Sequence, residues 1–156
     1  MDSSALFAGV ASPGGAARAL LVLAESSLLS LIVSEQVLAE TERAILRKVP
    51  GAIAHFREAL TSTHLTVVPD PSPDEVSAHR GIISDESDVP IVLAAVKAGV
   101  DYLVTHNRSD FLDDPGVAAR TGLRIGSPGD ALAWIRSRAA EGRESCGPGQ
   151  AASERA

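Results

Sequence analysis

Short runs of Val, Leu and Ile alternate along the chain with stretches whose apolar positions recur every three or four residues. That alternation predicts an α/β layered domain with a parallel sheet. Residues 4–11 and 16–25 read as short apolar helices separated by the breaker "SPGG", and "LLSLIVS" reads as a buried strand ending at Ser34. Ser34 is placed to cap the helix "EQVLAETERAILRKV", which must stop before Pro50. A helix over 51–61 and a strand "HLTVV" follow, then the linker "PDPSPDE" and a short helix over 76–83. In "SDESDVPIVLAAVKAG" acids precede a proline, an apolar run follows and Gly99 closes it, so a helix is expected to begin near Val89. "DYLVT" and "LRI" at 123–125 are strands, and "SPGDALAWIRS" is a final helix with Ser127 as cap and Pro128 at its first position. From Ala139 periodicity ends, which predicts one domain over 1–138 and a disordered tail over 139–156. There is no internal repeat.

Composition narrows the picture. Apolar residues make up 45% of the 156 positions but aromatics only 3%, so the core must be built from Ala, Val, Leu and Ile. No apolar run approaches the roughly 18 residues of a membrane span, and no basic segment leads into an apolar one at the start. A cytoplasmic protein without a membrane partner is the expectation. Cys146 is the single cysteine, which excludes a disulfide or thiolate metal site within one chain and leaves an incidental exposed thiol. A net charge of -6 argues against a broad electrostatic surface for nucleic acid. It leaves room for an acidic, cation-filled site, because a bound cation reverses the local sign.

The acids fall where an open parallel sheet collects functional groups, at the carboxyl ends of strands and the helix N-termini beside them. Asp2 precedes the first helix; Asp85, Glu86 and Asp88 precede the helix near Val89; Asp110 follows the strand ending at Thr105. Acids at helix N-termini also favour the helix dipole, a purely structural reason for the same placement. Glu40 lies inside its helix at the border of the apolar face, but Glu42 lies no farther from that face, so periodicity does not choose between them. Carboxylates gathered without cysteine, and without a convincing histidine pair, call for a hard cation, Mg²⁺ or Mn²⁺. His106 reads as an exposed loop residue, Arg80 and Arg108 as solvated cations, and Trp134 as a core or interface residue.

Four stretches in order, "DSSALFAGVASPGGAARALL", "SLIVSEQVLAETERAIL", "SDESDVPIVLAAVKAGVDYLVTHNRSDF" and "LRIGSPGDALAWI", resemble a PIN domain, the metal-dependent nuclease fold that includes bacterial VapC-type toxins. The resemblance runs over residues 2–135 and implies a three-layer α/β/α sandwich around a central parallel sheet. Position by position, it implies metal ligation by Asp2, by Glu40 in preference to Glu42, and by Asp88, with Ser4 and Asp85 in support. Where the family pattern has T-x-D, Thr105 matches and Asn107 does not. Some PIN subgroups resemble T-x-N-x-x-D-F, which "THNRSDF" fits, and this offers Asp110 as the substitute acid. An amide oxygen can ligate a hard cation but brings no charge. The structural alternative is that Asp110 merely caps a turn beside Phe111.

The start of the chain departs from the same pattern. In PIN domains the first acid ends a central apolar strand, and here Met1 alone precedes Asp2. The first strand is therefore expected to be truncated, with the polypeptide beginning upstream in a β-branched run. The leading function is a Mg²⁺- or Mn²⁺-dependent endoribonuclease that hydrolyses RNA phosphodiester bonds, as the toxin of a toxin–antitoxin pair. The resemblance also implies a homodimer. The alternative, favoured by net acidity and by Asn107, is a PIN-like protein-binding module with a weakened or inactive metal site, its partner a small antitoxin or a second copy. A phosphatase reading fails because "DSS" lacks the second acid of D-x-D, and a dinucleotide-binding reading because "GVASPGG" does not fit G-x-G-x-x-G.

Overall fold

In a computed structural model, which describes residues 1–144, the backbone of Met1 and Asp2 runs between two short parallel ladders. On one side lies β1 (Ile32–Ser34), paired in parallel with β2 (Thr66–Val68). On the other lies β3 (Leu103–Val104), paired in parallel with β4 (Ile125–Gly126). The Met1 nitrogen donates to the Ile32 carbonyl at 3.0 Å, and the Asp2 N–H to the Val104 carbonyl at 2.9 Å. Those two bonds align the ladders into one layer, in the order β2, β1, Met1–Asp2, β3, β4.

Helices supply the crossovers that parallel strands require. They are α1 (Ser3–Ala11), α2 (Ala16–Glu25), α3 (Glu35–Lys48), α4 (Ile53–Ser62), α5 (Pro73–Ala78), α6 (Val89–Lys97), α7 (Pro115–Thr121) and α8 (Pro128–Glu144). The result is an α/β sandwich whose apolar residues form two clusters. The larger gathers Leu6, Leu21, Val37, Ile45 and Phe56 from α1 to α4 with Met1 and Val33. The second gathers Val89, Val92, Leu103, Phe111 and Val117. Between α1 and α2 the chain bends by 86°, and the two helices approach closely at Gly9, where a β-carbon would sit 2.9 Å from the Leu21 side chain.

β2 and β3 are shorter than the sequence expectation, and β4 is shifted to Ile125–Gly126 from 123–125; three further elements also differ. β1 begins only at Ile32, and Leu28 is exposed, because pairing with β2 starts at Ile32 opposite Thr66. α5 begins at Pro73 and ends at Ala78, instead of spanning 76–83, because Ser72 and Glu75 form a reciprocal capping box that starts the helix early. α8 runs past Ala139 to Glu144, beyond the final helix "SPGDALAWIRS" read from the sequence: "RSRAAEGRE" is rich in helix formers even though it lacks an apolar stripe. The remainder of the expected tail, with Cys146, lies outside the described residues.

Beside Met1 a groove of about 480 Å³ opens between residues 28–32 and 99–104, lined in part by Leu29, Leu31, Val100, Tyr102 and Trp134. Thr66 N–H bonds the Leu31 carbonyl, so the alternating peptide groups of Ile32 face away from β2 and toward this groove. Leu103 and Thr105 bond β4 residues in the same way, which turns the Val104 peptide toward the groove from the other side.

Candidate metal centre

Asp2 is fixed by the start of α1. As N-cap it accepts the Ala5 N–H at 2.9 Å, while the Ser4 hydroxyl lies 2.9 and 3.0 Å from its two oxygens and the Thr105 hydroxyl donates to the second. Both Asp2 and Thr105 are buried. His106 N–H donates in turn to Ser4, so the beginning of α1 and the end of β3 are tied through one carboxylate.

Glu40 is placed by α3. Ser34 caps that helix, and burial of Val37, Thr41 and Ile45 leaves Glu40 at the border of the buried face while Glu42 is exposed. Its oxygens accept from Ser3 Oγ and from Gln36 Nε2, each at 2.8 Å. A contact across the fold, between Ser3 and Glu40, ties Glu40 to the start of α1, where Glu42 has no such contact among the described residues.

The third group rests on two turns. Asp85 caps a 3₁₀ turn, Glu86–Asp88, by accepting from the Ser87 N–H and hydroxyl at 2.9 and 2.7 Å. Asp88 stands at the head of α6, with Pro90 in the first turn, and makes no capping bond of its own. Asp110 lies in a π turn, Arg108–Leu112, anchored by buried Phe111. Carboxylate oxygens of Asp85, Asp88 and Asp110 all lie within 4.8 Å of one another. Asp85 therefore stands in the tightest group, although the sequence placed it only in support.

Asn107 joins the last two acids. Its Nδ2 donates to Asp88 at 3.2 Å and to Asp110 at 2.8 Å, while its Oδ1 accepts from Ser109 Oγ and the Asp110 N–H. The Asp110 carboxylate thus points toward Asp88, and Asn107 presents donors, rather than its oxygen, to the acids. The π turn and the acid cluster coexist, since the Asp110 backbone is capped while its side chain turns inward.

The electrostatics show how far the acids converge. Burial, followed by the charges of Asp85, Asp2, Asp110 and Glu40, pushes the Asp88 carboxyl up to about 7. Asp85 moves the opposite way, held below its ordinary range by the Ser87 hydroxyl and N–H at an exposed position. Among the described residues, none of these five acids forms an ion pair with a Lys, Arg or His; Arg80 pairs with Glu86 and Arg108 with Asp113, both exposed. The four histidines are exposed. An oxygen-only donor set with unbalanced negative charge fits a hard divalent cation, and does not fit a site built for zinc or copper.

Two contributors escaped the sequence reading. Ser3, overlooked beside Ser4, bonds Glu40; Gln36 bonds Glu40 from the preceding turn, at the i, i+4 spacing that brings side chains together on a helix.

Comparison with curated proteins and with solved structures gives no match. A family model described as PIN domain matches residues 1–109, a span that includes Asp2, Glu40, Asp85, Asp88 and Asn107 and ends just before Asp110. With more than half of its length matched, and with parallel strands and a cluster of acids in place, the chain belongs to the PIN domain family, whose members are generally nucleases and typically use divalent metals.

Proposed function

We propose that this protein is a divalent-metal-dependent endoribonuclease and that Asp2, Glu40, Asp88 and Asp110 hold the cation, with Asp85 beside them. The observation that carries the reading is the convergence of Asp85, Asp88 and Asp110 within 4.8 Å, with the charges of Asp2 and Glu40 also raising Asp88 and, among the described residues, no basic side chain paired with any of the five. When bound, a Mg²⁺ or Mn²⁺ ion supplies an activated water and neutralises charge developing on the phosphate oxygens. The chain's own part is to hold oxygens in place. Ser4 and Thr105 orient Asp2, Ser3 and Gln36 orient Glu40, and Asn107 holds Asp88 and Asp110 to one another. No side chain is needed as a nucleophile.

RNA as the substrate, and a role as the toxin of a toxin–antitoxin pair, rest on the resemblance of the "THNRSDF" stretch and its companions to VapC-type proteins. The test is cleavage of single-stranded RNA, with single-stranded DNA as a control, by the purified chain with Mn²⁺, against Asp88→Asn. RNA cleavage by the parent alone supports the reading. Equal inertness of both proteins would sink it.

A second reading has one observation in its favour. The Asn107 amide turned toward Asp88 and Asp110 partly satisfies those acids without a cation. A protein-binding module with a weakened metal site is then the alternative, and it predicts feeble Mn²⁺ uptake that Asp2→Ala and Asp88→Ala leave unchanged.

A further inference from the structure

Gln36 sits one helical turn before Glu40 on α3 and makes two side-chain contacts with one nitrogen. Its Nε2 donates to Glu40 Oε1 at 2.8 Å and to the Ser87 carbonyl at 3.1 Å. Ser87 lies inside the turn that carries Asp85 and Asp88, so this amide joins a ligand on a rigid helix to ligands on a turn. Its backbone N–H is engaged separately, with Asp70 at 3.0 Å, which leaves the side chain free of any duty in starting the helix.

We propose that Gln36 is a positioning residue that holds Glu40 against the Asp85–Asp88 turn, and so sets how tightly the acidic cluster takes a divalent cation. The inference rests on the reading above, that these acids hold the metal. Among the described residues, Glu40 has two side-chain donors, Ser3 and Gln36. Without Gln36 the carboxylate keeps one of them, and repulsion from Asp88 favours turning it toward solvent. A cation site assembled from two independent elements then has to draw them together on binding, where the native site already has them spaced. A carboxylic side chain at 36 could not do this work, because it lacks the donor that both Glu40 and the Ser87 carbonyl require.

The test is Gln36→Met, which keeps the length and helix propensity of the side chain and removes its donor. Mn²⁺ binding is measured by calorimetry, and thermal unfolding of the metal-free protein is followed alongside. Affinity should fall by about 10- to 100-fold, the usual effect of removing a hydrogen-bond partner of a ligand, while metal-free unfolding stays where it was. RNA cleavage should be recovered at saturating Mn²⁺ with KM for RNA unchanged. In a Glu40→Gln background the same substitution should have little further effect, because Gln36 acts through Glu40. Unchanged Mn²⁺ affinity in Gln36→Met, or an undiminished effect in the Glu40→Gln background, overturns the proposal while leaving the metal reading intact. A parent protein that takes up no Mn²⁺ overturns both.

Discussion

Asn107 occupies the position where the T-x-D pattern has an acid, and its geometry makes opposite demands on the metal-free and metal-bound protein. Without a cation, its two donated bonds relieve the crowding of Asp88 and Asp110. With a cation, an Nδ2 facing the same acids competes for the oxygens that would ligate. Asn107→Asp should therefore act with two signs. In the metal-free protein it replaces two donors by a like charge and should cost on the order of 1 kcal/mol, reduced by the partial exposure of the group. With Mn²⁺ present it should tighten binding by about tenfold or more, because even at a high effective dielectric a unit charge about 4 Å from a cation is worth several kcal/mol before desolvation. Urea unfolding without metal and calorimetry with Mn²⁺ read the two effects separately. Stabilisation of the metal-free protein, or loss of Mn²⁺ affinity, would contradict this account of the amide.

Elements enter the site through their ends, and Asp2 shows how one side chain serves both helix and cluster. It caps α1 through the Ala5 N–H and also satisfies the buried Thr105 hydroxyl. Asp2→Asn keeps an acceptor oxygen for the cap, whereas Asp2→Ala loses the cap, at about 1–2 kcal/mol, and leaves a buried hydroxyl without its partner, at about 1–3 kcal/mol more. Metal-free stability should therefore drop much further in Asp2→Ala than in Asp2→Asn, while both lose Mn²⁺ affinity. Equal destabilisation would mean that the charge of Asp2, rather than its acceptor geometry, supports α1. Such ends were largely legible in the sequence. Ser34, Pro90, Gly99 and Ser127 mark boundaries through local backbone chemistry, which one segment carries by itself. What periodicity could not supply were the contacts between segments. Glu40 is distinguished from Glu42 by Ser3, which lies 37 residues away, and the direction of Asp110 by its bond to Asn107. The extent of β1 was misread for the same reason, since an apolar run becomes a strand only as far as a neighbouring backbone pairs with it.

At the scale of the whole molecule, backbone hydrogen bonds from Met1 and Asp2 link the two ladders among the described residues, and the groove beside Met1 opens between residues 28–32 and 99–104. With their carbonyls bonded by Met1 and Asp2, Ile32 and Val104 turn their N–H groups toward this groove, and its apolar lining includes Leu29, Leu31, Val100 and Trp134. A parallel strand laid there would continue the line of Met1, bond both ladders and bury side chains on both faces, where apolar residues are wanted throughout. An extension of several Val and Ile residues fused ahead of Met1 should therefore stabilise the protein. Each buried side chain contributes about 1.5–3 kcal/mol, against about 1–2 kcal/mol per residue for ordering the backbone, so the net gain expected is a few kcal/mol over the strand. A Gly/Ser extension of the same length pays the ordering cost without the burial and should give none. Urea unfolding measures the difference, and hydrogen exchange locates it: the Ile32 and Val104 amides should gain protection with the apolar extension alone. Because Asp2 sits at the end of this same line, a firmer central strand should also hold its carboxylate more rigidly, and Mn²⁺ affinity should rise with stability. Equal unfolding midpoints for the two extensions, with no new protection at Ile32 and Val104, would show that the groove does not act as a seat for a strand.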